Sequence, residues 1–303
     1  MFGAGLSRCL LGWFERHGRS LPWRERPQPY AVVVSEFMLQ QTQVERVLPM
    51  FDAFVRAFPT FEALAAAQRS DVVRAWKGLG YNSRALRLHE LARAVVSEHG
   101  GVLPSDLPRL RALPGIGPYT AAAVRAFAYN LNDIAVDTNV RRVAHRLRFG
   151  LEYPLARPAR EVDAAAHALL VAGRAREVNA ALMDLGATTC TARAPKCLVC
   201  PLRDYCAAAP INPQRLAALR GEARAKKPAA VGFEQSTRFA RGRIIDVLRT
   251  LAPGAAISLL DLHGQLAYVP MARDQAALAA ILERLAHEGL VRLQNNSVAL
   301  AEA

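Results

Sequence analysis

Four cysteines close together in the chain constrain its fold more than any other feature: Cys190, Cys197, Cys200 and Cys206. They are separated by six, two and five residues. Thiolates at such short, unequal spacings can converge on one polynuclear centre, and cysteine thiolates hold iron-sulfur clusters. The spacing therefore favours an iron-sulfur cluster with the surrounding chain folded around it.

Two other interpretations of the cysteines compete with a cluster. Structural zinc sites usually combine two short cysteine pairs, and only Cys197 and Cys200 form such a pair. Disulfides fit poorly, because residues 1–11 lack the basic region and unbroken apolar run of an export signal, which predicts a reducing cytoplasm. Cys9 lies apart from the cluster among apolar residues, so we predict that it is a small core residue.

The charge of the chain predicts a polyanionic partner. It carries 39 Lys and Arg against 26 Asp and Glu, a net charge of +13. Nucleic acid is the commonest polyanion that such a protein binds. Because no apolar stretch reaches the length of a membrane span, we expect no membrane association. Nothing in the pattern indicates an oligomer, so we expect a monomer.

Apolar residues recur at helical spacing through most of the first two hundred positions, which predicts an all-α domain. Glycines 100, 101 and 150 stand where helices would end. The predicted helices are Tyr30–Gln41, Val44–Phe58, Asn82–His99, Pro118–Tyr129, Asp137–Phe149 and two helices between Ala159 and Gly186.

The composition changes after Cys206. Basic residues lie there among alanines and prolines, which predicts a basic linker; they are Arg215, Arg220, Arg224, Lys226 and Lys227. Further on, helical patterns cover 241–251, 258–266 and 274–288, and two short strands, 291–293 and 298–300, flank a turn at Asn295–Asn296. Three short helices and a hairpin outline a winged helix, a module that binds DNA or packs against a neighbour.

The segment Leu113–Tyr119, with the sequence Leu-Pro-Gly-Ile-Gly-Pro-Tyr, stands between two helical stretches. Gly115 and Gly117 allow a tight turn whose backbone N–H groups meet the N-terminus of the next helix, where the helix dipole favours an anion. A DNA phosphate held there would be bound without sequence readout. An ordinary helix-turn-helix corner is the structural alternative.

Two carboxylates have surroundings that suit acid–base chemistry. Glu36 interrupts an apolar run, and burial there would raise its pKa so that it could donate a proton near neutral pH. Asp137 stands at the expected start of a helix. The structural alternatives are a Glu36 side chain that reaches solvent at a helix edge and an Asp137 that caps the helix.

Four motifs together resemble the helix-hairpin-helix DNA glycosylases of the endonuclease III superfamily, and most closely the A/G-mismatch-specific adenine DNA glycosylases. They are Ser-Glu-x-Met-Leu-Gln-Gln-Thr-Gln at 35–43, Leu-Pro-Gly-Ile-Gly-Pro-Tyr-Thr at 113–120, Val-Asp-Thr-Asn-Val at 136–140, and the cysteine array. They occur in the family's order. The resemblance runs from Trp13 to Cys206.

The resemblance implies an all-α fold, a six-helix barrel packed with an iron-sulfur cluster domain, to which this chain adds a small winged-helix-like α+β domain. The implied cofactor is a [4Fe-4S] cluster bound by the four cysteines, on a loop whose Arg193, Lys196 and Arg203 suit phosphate contacts. The expected domains are 1–29 with 131–212 for the cluster, 30–130 for the barrel, 213–235 for the basic linker and 236–303 for the winged helix.

The same resemblance implies base excision repair on double-stranded DNA, in the cytoplasm at the nucleoid. A flipped adenine, mispaired with 8-oxoguanine or guanine, would be protonated at N7 by Glu36, and Asp137 would stabilise the cationic sugar. Asn139 and Tyr119 would orient Asp137 and line the pocket. The implied DNA contacts are Leu39, Gln41, Thr42, Tyr81, Gly115 and Gly117.

Tyr119 bears on the type of reaction. Bifunctional members of the superfamily carry a lysine at this place, and its amine attacks the sugar to form a Schiff base that leads to strand cleavage. A phenol cannot form that imine. The resemblance therefore predicts a monofunctional glycosylase that leaves an intact abasic site.

The chain departs from the family after Cys206. Typical adenine glycosylases of this family carry a Nudix-like domain there that helps to recognise 8-oxoguanine, and this chain carries the winged-helix outline instead. Two alternatives stay open: a thymine or uracil glycosylase acting on mismatches with G, and a non-enzymatic iron-sulfur DNA-binding regulator. The run Gln40–Gln43 and Glu36 favour adenine, because a purine has an N7 to protonate and thymine has none.

Overall fold

The computed structural model of the chain describes residues 4–151, 158–225 and 232–302. As predicted, they are mostly helical with a small sheet near the C-terminus. The helices are α1 (Ala4–His17), α2 (Pro22–Glu25), α3 (Pro29–Leu39), α4 (Val44–Ala57), α5 (Phe61–Ala66), α6 (Arg69–Ala75), α7 (Ser83–His99), α8 (Leu107–Ala112), α9 (Pro118–Phe127), α10 (Thr138–Phe149), α11 (Ala159–His167), α12 (Ala175–Thr188), α13 (Pro213–Ala225), α14 (Thr237–Thr250), α15 (Leu259–Gln265) and α16 (Gln275–His287). The strands are β1 (Ile257–Ser258), β2 (Val291–Gln294) and β3 (Ser297–Leu300).

Local sequence explains where many helices begin. Pro22 and Pro118 stand at the first helical positions of α2 and α9, where a missing N–H costs nothing. Other helices begin with a side chain that accepts a hydrogen bond from the backbone of the first turn. These N-caps are Thr60, Asp106, Asp137, Ser236, Ser258 and Asp274.

The chain forms two compact units, each built from two stretches of sequence: Met1–Val32 with Ile116–Pro228, and Val33–Gly115 with Ala229–Ala303. The first has a core of aliphatic side chains from α1, α10, α11 and α12, against which three of the clustered cysteines pack. The predicted domain boundaries divide the chain differently, into barrel, cluster domain and C-terminal module, and they stay a prediction.

A buried carboxylate ties the N-terminal segment to the rest of the first unit. Asp184 on α12 is 0% exposed and accepts hydrogen bonds from Arg19 at 2.6 Å and from Arg24 at 2.9 Å. A buried charge is tolerated only when it is paired and hydrogen-bonded, and both conditions hold here. Loss of either arginine would therefore loosen the start of the chain from α12.

The second unit includes the segment predicted as a winged helix, and this segment carries the small sheet. Its sheet has the strand order β1-β3-β2 with antiparallel neighbours, and Val291 of β2 pairs with Leu300 of β3. Asn295 and Asn296 both have positive φ, 47° and 60°, as a two-residue turn that follows the twist of the strands requires. The predicted hairpin is thereby confirmed, whereas the two-residue strand β1 is too short to leave an alternating pattern.

The structure adds to one sequence prediction and contradicts another. The basic stretch predicted as a linker contains helix α13, whose Leu216 is buried with Ala208 and Ile211, although Lys226 and Lys227 lie outside the described residues. The prediction that Cys9 is a core residue was wrong. Leu6 and Leu10 face the core on one side of α1, whereas Cys9 lies beside that side and is exposed. No helix in the described part of the chain is both long and apolar enough to cross a bilayer.

Candidate nucleic-acid interface and active site

Glu36 lies in α3 and is 7% exposed, so the predicted apolar surroundings of this carboxylate are present. The helix ends at Leu39, and the chain turns sharply at Gln41, which has a φ of 57°. Gln41 is exposed and Thr42 is partly buried. A residue held in the left-handed region stores strain that the surrounding structure must support, and such positions concentrate at functional sites.

The support for this turn comes from Arg84, a residue that the sequence analysis missed. Arg84 on α7 is 4% exposed, and burial lowers its pKa to about 10, so it remains charged at neutral pH. It shares one face of α7 with Leu88, Leu91 and Val95, a helical spacing that could have identified it as inward-facing. Its guanidinium donates to the carbonyls of Phe37 (2.8 Å), Met38 (2.8 Å), Gln40 (2.6 Å), Leu79 (3.0 Å) and Gly80 (3.1 Å), and to Oγ1 of Thr42 (3.0 Å).

Arg84 therefore joins two turns that are distant in sequence. The first is the turn at Gln41, and the second is the loop Leu79–Tyr81, in which Tyr81 has a φ of 45°. The guanidinium carbon of Arg84 also lies 5.6 Å from the centroid of the Tyr81 ring. Three residues predicted to contact DNA, Gln41, Thr42 and Tyr81, are thus held together by one buried cation.

Gly115 and Gly117, in the turn between α8 and α9, have different roles. Gly115 has a φ of 76°, and a Cβ there would lie 2.9 Å from Cζ of Phe37 and 3.4 Å from Cβ of Arg87. Gly117 has an ordinary φ of −85°, is the N-cap of α9, and would carry a Cβ with nothing within 4 Å. Packing thus requires glycine only at position 115. At Gly117 the open space leaves the start of α9 accessible to an anion.

We expect Gly115→Ala and Gly117→Ala to separate stability from binding. Gly115→Ala should lower the free energy of unfolding by about 1–3 kcal/mol, through its positive φ and its contact with Phe37. Gly117→Ala should unfold like the wild type yet bind duplex DNA about tenfold more weakly, because its methyl group obstructs the backbone N–H groups. Urea unfolding and fluorescence anisotropy measure the two effects. Equal DNA affinity of Gly117→Ala and wild type would remove the phosphate site from this hairpin.

Asp137 and Asn139 meet at the start of α10. Oδ1 of Asp137 accepts from the N–H of Val140 at 2.6 Å, and Oδ2 accepts from Nδ2 of Asn139 at 2.8 Å. Asp137 is therefore the N-cap of α10, as the structural alternative predicted. The cap uses only one of its two carboxylate oxygens. Asn139 holds the other, as expected of a residue that orients Asp137. Tyr119, in the first turn of α9, is partly buried.

Arg142, one turn further along α10, and Gly186 on α12 support Asn139. Nη2 of Arg142 donates to Oδ1 of Asn139 at 2.8 Å and to the carbonyl of Gly186 at 2.6 Å. Nε of Arg142 donates to the carbonyl of Cys190 at 2.7 Å. A continuous chain of hydrogen bonds therefore runs from Asp137 through Asn139 and Arg142 to the first cysteine of the array.

Gly186 is a second residue that the sequence analysis missed. A Cβ at this position would lie 2.6 Å from Cβ and 3.1 Å from Cα of Asn139, so α12 can approach α10 only with glycine here. The available signal was a glycine inside a helical pattern, which usually marks close packing.

Gly186→Ala is expected to act on Asp137 through Asn139. The added methyl group should displace Asn139, cost about 1–3 kcal/mol of stability, and slow any reaction that depends on the orientation of Asp137. Single-turnover kinetics at a temperature well below the unfolding transition measure the rate effect. Gly242→Ala on α14 is the control for substitution alone, because this helical glycine has no positive φ and a Cβ there meets nothing within 4 Å. A normal rate in Gly186→Ala would mean that Asn139 does not depend on this contact.

The four cysteines of the array lie near one another and are all partly buried. Burial, with a smaller contribution from the other three thiols, raises the pKa of Cys200 to about 11. Nη1 of Arg146, which is 3% exposed, donates to Sγ of Cys190 at 3.4 Å and to the carbonyl of Thr191 at 2.8 Å.

This donor set fits an iron-sulfur cluster. Burial raises the pKa of the Cys200 and Cys206 thiols, so their thiolates need a nearby positive charge, which a metal core would supply and to which Arg146 adds. Within the described residues, no three His, Cys, Asp or Glu side chains converge on a single metal ion. The thiolates of a polynuclear cluster bind different iron atoms and so stand farther apart than the four thiolates around one zinc ion.

Comparison with known proteins agrees with this arrangement. Residues 34–166 match the HhH-GPD superfamily of base excision DNA repair proteins, and residues 190–206 match the iron-sulfur binding domain of endonuclease III. The chain is 45% identical over 245 residues to the adenine DNA glycosylase of Mycobacterium tuberculosis, covering 79% of this chain and 77% of that protein. It is 42% identical over 284 residues to the adenine DNA glycosylase of Mycolicibacterium smegmatis, covering 93% and 91%.

Among solved structures, the chain resembles a thermostable thymine-DNA glycosylase, with a TM-score of 0.61, 32% sequence identity, and coverage of 66% of this chain and 93% of that one. The predicted fold class, a helix-hairpin-helix glycosylase fold with an iron-sulfur motif, is thereby confirmed. The chain belongs to the helix-hairpin-helix superfamily of base excision DNA repair proteins and, within it, to the adenine DNA glycosylases.

Proposed function

We propose that this chain is a monofunctional adenine DNA glycosylase that hydrolyses the N-glycosidic bond of adenine mispaired with 8-oxoguanine or guanine in double-stranded DNA. Adenine as the excised base rests on the similarity to adenine DNA glycosylases over most of the chain. The observation that supports this chemistry is the fixed orientation of the Asp137 carboxylate. Hydrogen bonds from Asn139 and from the first turn of α10 hold its two oxygens.

In this proposal Glu36 is the general acid. Glu36 is 7% exposed in α3, and its motif is the one to which the resemblance assigns the proton donor for N7 of adenine. Protonation makes the base a better leaving group. The reaction thus begins with proton transfer from the Glu36 carboxyl group to the extruded base.

Asp137 takes the second role. As the N-glycosidic bond breaks, positive charge develops on the deoxyribose, and a preorganised carboxylate stabilises that charge. The hydrogen bonds from Asn139 and Val140 keep Asp137 in place, so little reorganisation is needed during bond cleavage. Water then attacks C1′ of the sugar and loses a proton, which balances the proton that Glu36 gave to the departing adenine. Because Tyr119 offers no amine for a Schiff base, the product is an intact abasic site.

The proposed cofactor is a [4Fe-4S] cluster on the four cysteines, with a structural role. A hydrolytic excision requires no electron transfer, whereas the array carries exposed basic residues that suit a DNA backbone, namely Arg193, Lys196 and Arg203. The cluster would supply rigidity to this loop. We further propose that the protein acts as a monomer on mismatched or oxidised DNA.

A thymine or uracil glycosylase acting on mismatches with G is the second candidate, because one solved relative at 32% identity is a thymine-DNA glycosylase. Duplexes containing A:8-oxoG, A:G, T:G and U:G distinguish the two, with the released base identified by mass spectrometry and strand breaks measured before and after alkali. We expect adenine release from the first two duplexes and strand breaks only after alkali. Release of thymine or uracil instead would establish the second candidate.

The same assay tests the assignment of Tyr119. Borohydride should trap little protein on DNA, because no Schiff base forms on a phenol. Efficient trapping that survives substitution of each nearby lysine would contradict a monofunctional reaction.

A further inference from the structure

The C-terminal module is packed firmly onto the barrel segment of its own unit. Val73 of α6 and Leu86 of α7 belong to the same apolar core as α14, α15 and α16. Polar contacts reinforce this packing: Arg74 donates to the carbonyl of Arg249 at 2.6 Å, and Arg249 donates to the carbonyl of Val73 at 3.0 Å. The module is therefore a built-in part of this unit and not a tethered appendage.

The packing reaches the loop that carries Tyr81. Nη2 of Arg249, whose side chain is 6% exposed, donates to Oδ1 of Asn82 at 2.8 Å. Asn82 directly follows Tyr81 and is the N-cap of α7. A residue of the module thus holds Asn82, the neighbour of Tyr81, which is predicted to contact DNA.

Arg238, in the first turn of α14, lies on Tyr81 itself. Its guanidinium carbon is 3.8 Å from the centroid of the Tyr81 ring, a direct cation–π stack. It also lies 5.5 Å from the ring of Phe233, which is 58% exposed. The module therefore places a cation and an exposed aromatic ring beside Tyr81.

Arg238 differs from the other arginines of α14 in its contacts. Its neighbours on α14 form ion pairs, Arg241 with Glu288 and both Arg243 and Arg249 with Asp246. Among the ion pairs of the described residues none involves Arg238, which is exposed and contacts aromatic rings instead. An exposed, unneutralised guanidinium beside two aromatic rings suits a phosphodiester backbone next to an unstacked base.

We propose that Arg238 is a DNA-contacting and positioning residue supplied by the C-terminal module, which binds a backbone phosphate and holds the Tyr81 ring for insertion into the duplex. The proposal rests on the proposed function only in that duplex DNA is the ligand. It assigns the module a direct part in the DNA interface. The module thereby contributes through the first turn of α14.

The test uses the full chain with three substitutions. Arg238→Ala removes both the charge and the stack, Arg238→Lys keeps the charge, and Arg292→Ala removes the same charge from the exposed face of β2. Affinity is measured by fluorescence anisotropy at several salt concentrations, on a duplex with 8-oxoguanine opposite a 2′-fluorinated adenine nucleotide that resists cleavage. Thermal unfolding confirms that each variant is folded.

We expect Arg238→Ala to bind DNA about tenfold more weakly than wild type. The slope of log affinity against log salt concentration should also become shallower by about one, as the loss of one phosphate contact predicts. Arg238→Lys should restore the slope and only part of the affinity, and Arg292→Ala should stay within about twofold of wild type. In a double-mutant cycle with Tyr81→Ala, the losses of binding free energy should not be additive, because Arg238 positions Tyr81.

Wild-type affinity and slope in folded Arg238→Ala, or strictly additive losses with Tyr81→Ala, would overturn the proposal. These outcomes are independent of the proposed function, since they are binding measurements. If wild-type protein released no adenine from A:8-oxoG duplexes, the proposed reaction would fail while the binding result still decided the role of Arg238.

Discussion

Glu36→Gln and Asp137→Asn should each lower the single-turnover rate of adenine release by about 10²–10⁴-fold, the range that a general acid or a charge-stabilising group contributes. Glutamine cannot donate a proton to N7, and asparagine has no charge to stabilise the cationic sugar. Because asparagine caps helices about as well as aspartate, Asp137→Asn should keep α10 intact. Quenched-flow kinetics on A:8-oxoG duplexes give the rates.

Binding measurements distinguish lost chemistry from lost structure. Both variants should bind duplex DNA within a few-fold of wild type, since neither change touches a phosphate contact. Glu45→Gln and Asp71→Asn are matched controls at exposed positions of α4 and α6, and they should react at the wild-type rate. Parallel losses of binding and rate in Glu36→Gln or Asp137→Asn would indicate misfolding and contradict the assigned roles.

Cys200→Ser is expected to remove the cluster and, with it, much of the stability of the first unit. Three of the four cysteines pack against the core that α1, α10, α11 and α12 share, so loss of the metal disturbs that core directly. Because metal binding is coupled to folding, we expect a loss of several kcal/mol and a largely insoluble protein. Iron and sulfide analysis, visible absorption and thermal unfolding of the soluble fraction measure the effect.

Cys9→Ser is the matched control for this change. Cys9 is exposed on α1 and lies outside the array, so the same chemical substitution should leave iron content and unfolding temperature at their wild-type values. A Cys200→Ser protein that is colourless, soluble and fully active would show that these cysteines are not needed for structure or reaction.

The regular elements were predictable because their signals are local. Apolar periodicity located α3, α4, α7, α9 and α10 to within about two residues at each end, and Asn295–Asn296 located the hairpin. Helix α13 was missed because its basic, alanine-rich sequence also suits a linker, and only Leu216 contacts a core.

The supporting contacts of the site were not predictable in the same way. Arg84, Gly186 and Arg249 act through partners that are distant in sequence, such as Met38, Asn139 and Asn82. Such contacts leave no periodic pattern, because nothing near the residue in sequence reports its partner. The motif residues were identified by resemblance, and their roles stay predictions until the variants are measured.

Arg142 connects the proposed cluster site to Asp137, so loss of iron would affect the position of this carboxylate. The same guanidinium that holds Asn139 also binds the main chain at Cys190, where the loop that carries the four cysteines begins. Oxidative damage that releases iron would free that anchor and loosen the grip on Asp137. A repair enzyme made in this way would lose the orientation of Asp137 together with its metal centre.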